Sequence, residues 1–413
     1  MLSAKQIIPK GWVETTLGDT CELLDCLHRT PKYSNFGYPM VRVTDVKNGP
    51  LETNGCLKVD VNTFNDFSKN YQPIIGDIVF TRVGSFGLSA IVKKEEQFCI
   101  GQNTTLILAK RINSFFLFYY LISKAGRYQI VALSSGSTQP TISMASIREI
   151  QFNLPPLQEQ KAIAKVLTAF DDKIELLQAQ NKTLETMAQT IFKEWFGKYQ
   201  IGDELPEGWS TKTLNTLCSK ITDGTHSTVI DDESGHYYLL SCKNIKKGKI
   251  NIGNNERKIN KTTLDFLRKR TGLRKDDIVL TTVGTIGEIA MVQDEVVNFE
   301  FQRSVAIIRC NKEKILPILM FLYAKSRFFQ HQALSRCLGS VQTSLFLGEI
   351  KEIEINLPSI TLQKVIANNL WPLMDKQRFN NDQIQSLTKT RDTLLPKLMS
   401  GQVRINHQKL QIS

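Results

Sequence analysis

Two sets of polar residues in this chain could contact a nucleic acid. The first holds His28, Arg29, Lys32, Arg42, Arg82, Ser85, Gln102, Asn103, Ser137, Thr138 and Gln139. The second holds Thr225, His226, Lys243, Lys246, Lys247, Thr285, Gln302, Arg303, Ser340 and Gln342. Most of both sets fall between short apolar runs or at their ends, in stretches punctuated by Gly, Asn and Asp. An arginine fork matches the guanine edge, and an Asn or Gln amide matches adenine. Phosphate contacts, by contrast, only position the protein. Ser85 lies in the turn Gly84-Ser85-Phe86-Gly87, which is equally read as a plain turn between strands. His28 and His226 could equally brace a loop. Arg82 against Thr282, and Asn103 against Arg303, differ between the two sets and so suit two different targets.

Other chemistry finds little support. The chain contains no GxxxxGK[ST] and no GxGxxG. Its eight cysteines are scattered without a CxxC pair, so a disulfide framework or a metal cluster is not expected. Leu154-Pro155-Pro156-Leu157 superficially resembles the Asn/Asp-Pro-Pro-aromatic active-site motif of DNA methyltransferases, but Leu replaces both the amide and the aromatic. With 52 Lys+Arg against 40 Asp+Glu, the net charge of +12 favours a polyanionic partner. No secretory signal and no apolar stretch of about 18 residues is visible, so a reduced cytoplasm is the expected location.

The chain repeats itself once. Pro9-Lys10-Gly11-Trp12 recurs as Pro206-Glu207-Gly208-Trp209. Asp25, His28 and Thr30 recur as Asp223, His226 and Thr228. Asp77-Ile78-Val79 recurs as Asp277-Ile278-Val279, Gln102 as Gln302, and Asn153-Leu154-Pro155 as Asn356-Leu357-Pro358. Two units of about 200 residues follow, each of ordinary domain size. A duplicated chain of this kind is a pseudo-two-fold molecule, able to present two similar faces.

Strand-like runs are expected at 40–43, 77–83, 88–92 and 105–108, with counterparts at 238–241, 277–283, 288–292 and 305–308. One apolar helix is expected in each unit, at 115–123 and 315–323. After each Asn-Leu-Pro the period changes. Ile163, Leu167, Phe170, Ile174, Leu177, Asn181, Leu184, Ala188, Ile191 and Trp195 form a heptad seam. The second unit offers Ile366, Leu370, Leu373, Gln377, Asn380, Ile384, Leu387, Arg391, Leu394 and Leu398, with Pro372 and Pro396 expected to kink or stop that helix. The two helices should pack antiparallel on each other. The charge excess lies mainly outside them: residues 157–199 carry six basic and six acidic side chains.

The fold class is therefore α+β: two mixed, mostly β domains separated by two long antiparallel coiled-coil helices. The expected boundaries are 1–155 and 200–357 for the domains, 156–199 and 358–402 for the helices, and 403–413 for a tail.

The Gly-Trp start, the Gly-Asp-Ile-Val strand, the Gly-Ser-Thr-Gln loop and Leu154-Pro155-Pro156-Leu157-Gln158-Glu159-Gln160 closely resemble the specificity subunit of Type I restriction–modification systems. The resemblance covers almost the whole chain. The second unit departs from it at Leu357-Pro358-Ser359-Ile360 with Leu362-Gln363. The resemblance implies two target recognition domains, each reading half of a split double-stranded DNA site, with spacer helices fixing the gap. It implies a subunit that catalyses nothing itself. The implied partners are two adenine-N6 methyltransferase subunits carrying S-adenosylmethionine and two restriction/translocase subunits using ATP and Mg. Two other readings stay open on the residues alone: a methyltransferase component with an attached recognition domain, and a coiled-coil assembly adaptor that ignores DNA.

Overall fold

The computed structural model describes residues 8–136, 139–253, 255–338 and 343–405. The chain forms two compact units. One combines Met1–Gln178 with Asp382–Ser413; the other is Ala179–Asn381. The expected α+β class is what the structure shows.

In the first unit the main sheet orders its strands as Cys21–Asp25, Thr104–Ala109, Ile78–Thr81, Ser89–Ile91 and Gly49–Pro50. The central strands are antiparallel, with Thr105 opposite both Asp25 and Phe80. Their uninterrupted apolar character has a direct cause: both faces are buried. Ile78, Phe80 and Ile107 pack with the helix Ser114–Ile122 and with Ile163 and Leu167. Val79, Ala90, Leu106 and Leu108 pack on the other side against Val41, Phe98 and Ile100. A smaller sheet orders Tyr33–Ser34, Lys58–Val59, Tyr38–Val41 and Cys99–Ile100. Val13–Thr16 pairs with Gln151–Leu154 and ties the start of the domain to its end.

The second unit repeats this plan. Its main sheet is Cys218–Asp223, Val305–Cys310, Ile278–Thr281 and Ile289–Met291. A companion sheet joins Lys258–Ile259, Tyr237–Leu240 and Phe299–Phe301, and Ser210–Thr213 pairs with Glu354–Leu357. A strand stands at each expected place, but Tyr38–Val41 and Tyr237–Leu240 begin earlier than expected, Thr104–Ala109 and Val305–Cys310 are longer, and the other four are shorter. The helices Val61–Phe67, Lys124–Ala132, Lys261–Thr271 and Arg327–Ser335 were not among the sequence expectations. Ser123 closes one helix and caps the next by accepting from the Gly126 amide. Gly126 is required there, because a Cβ would stand 2.2 Å from the Tyr120 carbonyl.

Each long helix has 40 residues, Leu157–Phe196 and Ile360–Met399, so each is about 60 Å long. Within each unit the stretches of the two helices run antiparallel. In the first unit Ile163, Ala164 and Leu167 share a core with Leu394, Leu395, Leu398 and Met399. There Arg391 Nη1 meets Asp171 Oδ1 at 2.6 Å, and Arg404 Nη2 meets Glu159 Oε2 at 2.7 Å. In the second unit Ala188, Phe192 and Phe196 share a core with Ile366, Ala367, Leu370 and Met374.

Two expectations need correction. Pro372 and Pro396 do not stop the second helix, which is continuous through both. Both prolines are on its exposed side, as are Asn368 and Asp392, whose carbonyls lose a partner and can turn to water. The seam also drifts: Trp195 is 38% exposed and Ile191 only partly buried, while Phe192 and Phe196 take the buried positions. A 3.6-residue helix precesses against a strict 3.5 repeat, so the buried face moves on by one residue. Leu373, Leu184, Ile384, Leu387 and Phe170 are likewise half-buried, and Met374 fills the core beside Leu370.

A buried glutamine fastens each helix start. Gln160 accepts from the Asn113 amide at 2.8 Å and donates to the Pro155 carbonyl at 2.8 Å. Gln363 does the same for Leu316 and Pro358, at 3.2 and 3.0 Å. Gln160→Leu and Gln363→Leu are each expected to cost about 1–3 kcal/mol, because each strands a buried backbone C=O and a half-buried N–H. Thermal unfolding of the purified chain checks this. Among the described residues, no helix is long and apolar enough to cross a membrane.

Candidate nucleic-acid interface

In the first unit, sheet register brings several candidate residues to one end. Asp25 ends its strand beside Thr105, and Thr81 ends its strand beside Thr104. The loops that follow are stitched together by their backbones. The Arg82 amide donates to the Asn103 carbonyl at 2.8 Å, and the Ile142 amide to the Arg82 carbonyl at 3.0 Å. The Gly101 amide donates to the Val41 carbonyl at 2.8 Å. His28, Arg42, Arg82, Gln102 and Asn103 therefore share one end of the sheet. Ser85 is on the exposed loop after Thr81, whose hydroxyl donates to the Ser85 carbonyl at 2.5 Å. Gln139 is exposed, two residues before Thr141, which bridges both Ser135 and Val83. Asn103 has φ +64, a left-handed conformation that Asn tolerates better than most residues.

At the centre of this end is a carboxylate that holds an imidazole. Asp25 Oδ2 lies 3.1 Å from His28 Nε2, and Asp25 Oδ1 accepts from Arg82 Nη1 at 2.7 Å. Burial pushes the Asp25 carboxyl up, but the hydrogen bonds from Arg82 and His28 outweigh it and hold it below its ordinary value. The second unit has the same device with a different arginine. Asp223 Oδ2 lies 2.6 Å from His226 Nε2, and Asp223 Oδ1 accepts from Arg270 of the helix Lys261–Thr271.

His226 is joined at its end of the sheet by Thr225, Gln302 and Arg303. Thr225 bridges Gln302, and the Arg303 amide donates to the Thr225 carbonyl at 3.0 Å. Thr285 is exposed on the loop after Thr281, whose hydroxyl donates to the Thr285 carbonyl at 2.5 Å.

Other candidates stand apart or are already engaged. Arg29 pairs with Asp66 at 2.5 Å and lies over the Phe67 ring, and Lys32 is exposed just before the small sheet. Arg42 grips Asp45 through Nε and Nη2, at 2.9 and 3.1 Å. Lys243 pairs with Glu256 at 3.0 Å. Lys246 and Lys247 belong to a hairpin beyond Ile289–Met291, at the opposite edge of the sheet from the strand leading to His226. Ser137, Thr138, Ser340 and Gln342 lie outside the described residues.

Sequence reasoning missed Asp25, Asp223 and Arg270 as members of the site. The signal for the two aspartates was present: Asp-x-x-His occurs at the matching place in both units. Arg270 gives no such signal. Ligand atoms of Asp25, Cys26 and His28 lie within 4.8 Å of one another. They make a poor metal site: Asp25 is engaged by Arg82, and burial together with the Asp25 charge pushes the Cys26 thiol up, against the thiolate a metal needs. The second unit has Gly224 in place of Cys26.

Comparison with known proteins gives the family. Residues 9–186 and 206–389 each match the Type I restriction modification DNA specificity domain. A putative Type I restriction enzyme MjaX specificity subunit from Methanocaldococcus jannaschii is 25% identical, across 96% of this chain and 95% of that one. The Type I restriction enzyme EcoBI specificity subunit from Escherichia coli is 24% identical, across 89% and 80%. The crystal structure of the Type I restriction–modification S subunit from M. genitalium has the same fold, with a TM-score of 0.62 at 19% identity over 96% of this chain and 98% of that one. Two family domains spanning most of the sequence, each ending in a long helix, leave one conclusion: the chain belongs to the Type I restriction–modification DNA specificity family, as a specificity subunit with two recognition domains.

Proposed function

We propose that the domains 1–155 and 200–357 each read one half of a bipartite double-stranded DNA target. The helices 156–199 and 358–402 set the half-site spacing and dock the methyltransferase subunits, and 403–413 is a tail. Catalysis belongs to the partners. Two modification subunits bring S-adenosylmethionine and methylate adenine N6; two restriction/translocase subunits bring ATP and Mg. The assembly works in the cytoplasm.

One observation carries this reading. Each unit presents a carboxylate-held histidine at the corresponding end of its own main sheet, amid residues several of which differ between the units. A shared frame with unlike neighbours suits two readers of two half-sites. Exposed apolar side chains on the helices, Leu176, Met187 and Phe379 among them, suit partner docking.

The test is a genome-wide map of N6-methyladenine in cells with and without the chain. A two-part motif that appears and disappears with it is expected; an unchanged map overturns the proposal. Lys246 is exposed at the sheet edge and suits a phosphate. Lys246→Ala should weaken binding on all sequences alike and lower the slope of log K against log salt by about 1. Titration of the assembled complex across a salt series checks this, and a change of target preference would contradict it.

A further inference from the structure

The two long helices descend from one duplicated segment, so like could pair with like. Each is a 40-residue amphipathic rod, and a first helix could in principle lie antiparallel on the first helix of a second copy. The polar residues of the seam argue that this is prevented.

Within the second unit, Asn380 is fully buried. Its Nδ2 donates to Asn181 Oδ1 at 3.0 Å. Asn181 Nδ2 donates to Asn381 Oδ1 at 3.0 Å, and Gln377 Nε2 donates to the Asn181 carbonyl at 2.8 Å. Lys249 Nζ adds a bond to Asn381 Oδ1 at 2.7 Å. Within the first unit, the half-buried Arg391 and Asp171 meet at 2.6 Å.

These polar residues do not stand at equivalent places in the two helices. The position equivalent to Asn380 in the first helix is Leu177, and that equivalent to Asn181 in the second is Ile384. Arg391 corresponds to Ala188, and Asp171 to Met374. If two first helices paired in the same antiparallel register, Asn181 would face Leu177 and Asp171 would face Ala188. Two second helices would set Asn380 against Ile384 and Arg391 against Met374. Either like pair sets a seam amide against an apolar side chain and takes the opposite charge from Asp171 or Arg391, leaving them only Tyr119 and Asp392 respectively, which is unfavourable. The unlike pair gives the Asn380 and Asn181 amide nitrogens an acceptor and Arg391 a counter-charge, although Asn380 Oδ1 stays without a partner among the described residues. A buried Asn that meets its match in one pairing alone is an established way to specify partner and register.

We infer that Asn181, Gln377, Asn380 and the pair Asp171–Arg391 form an intrachain pairing code, which commits the first helix to the second helix of its own chain and rejects the like helix of a second copy. The inference holds whatever DNA sequence the chain reads.

The test is a double-substitution cycle in the full chain, read by thermal unfolding and by light scattering across a concentration series. Asn181→Leu makes the centre of the first seam apolar and strands the buried Asn380 amide. It is expected to lower the unfolding temperature by at least about 3 °C and to produce dimers as concentration rises. Adding Asn380→Leu removes the stranded amide, and the double variant should regain most of the lost temperature. The wild-type chain should stay monomeric throughout. An Asn181→Leu chain that unfolds like wild type and stays monomeric overturns the inference. So does a double variant no more stable than Asn181→Leu, and so does wild-type chain that already dimerises. Should Asn181→Leu fail to accumulate, Asn181→Ala carries the same cycle with the same deciding outcomes.

Discussion

At neutral pH, Arg268→Leu is expected to lose about 3–5 kcal/mol of stability, because it strands a buried carboxylate. Glu300 is 0% exposed. Its Oε1 accepts from Arg268 Nε at 2.8 Å, and its Oε2 accepts from Thr271 Oγ1 at 2.9 Å. Arg268 also donates to the carbonyls of Val297 and Phe299, at 2.8 and 2.7 Å. One substitution thus removes the counter-charge and two backbone bonds. Burial already pushes the Glu300 carboxyl above its usual 4.5, against the pull of Arg268. A raised folded value means the native state holds the extra proton. Stability from this group is therefore fully present below the unfolded value and is lost as pH rises through the folded value. Without Arg268 the folded value climbs further, so the deficit should be large at pH 7 and should narrow on acidification toward pH 5. Denaturant titrations of both chains across that range decide it. A deficit under about 1 kcal/mol, or one that ignores pH, would show that Glu300 has found another partner.

The second large effect concerns the histidines. His28→Ala is expected to relax the first half-site at one or two base positions and leave the second half-site unchanged. His226→Ala should do the converse. Each removes an exposed imidazole whose orientation its own carboxylate fixes. A base contact of this kind is worth about 1–3 kcal/mol, or roughly 10- to 100-fold in discrimination. Methylome maps of the two variants read both half-sites at once. Loss of both halves together would mean a collapsed fold, and no change in either would remove the histidines from the reading surface.

Much of this architecture was legible in the residues. Matches such as Gln102 with Gln302 exposed the duplication, and the seam from Ile163 to Leu398 announced two long antiparallel helices. The strand cores were visible because burial on both faces makes them uniformly apolar. In the small sheet only the strand near Met40 was visible: Tyr33–Ser34 and Lys58–Val59 have two residues each, too few to show a period. Val61–Phe67 is short and has only one buried residue, Phe64, so little pattern marks it. At the site, His28 and His226 were visible, but the bond of Asp25 to Arg82 spans 57 positions and that of Asp223 to Arg270 spans 47. The two copies draw their arginines from different elements, so comparing one copy with the other could not supply the second from the first. Lys243 looked available for DNA because its partner Glu256 becomes a neighbour only on folding, whereas Asp45 stands three residues from Arg42 and the 3-10 turn between them was not foreseen.

The first compact unit is discontinuous, and this bears on how the chain is made. Residues 179–381 are contiguous and can gather their own core as soon as they leave the ribosome. The earlier residues cannot finish first, because Ile163 and Leu167 must wait for Leu398 and Met399, and Glu159 for Arg404, 245 positions away. Until then the nascent segment carries an uncovered greasy stripe, the state most open to chaperone capture and clumping. The part synthesised first is thus completed last, and its maturation is governed by the slow closure of a very long loop.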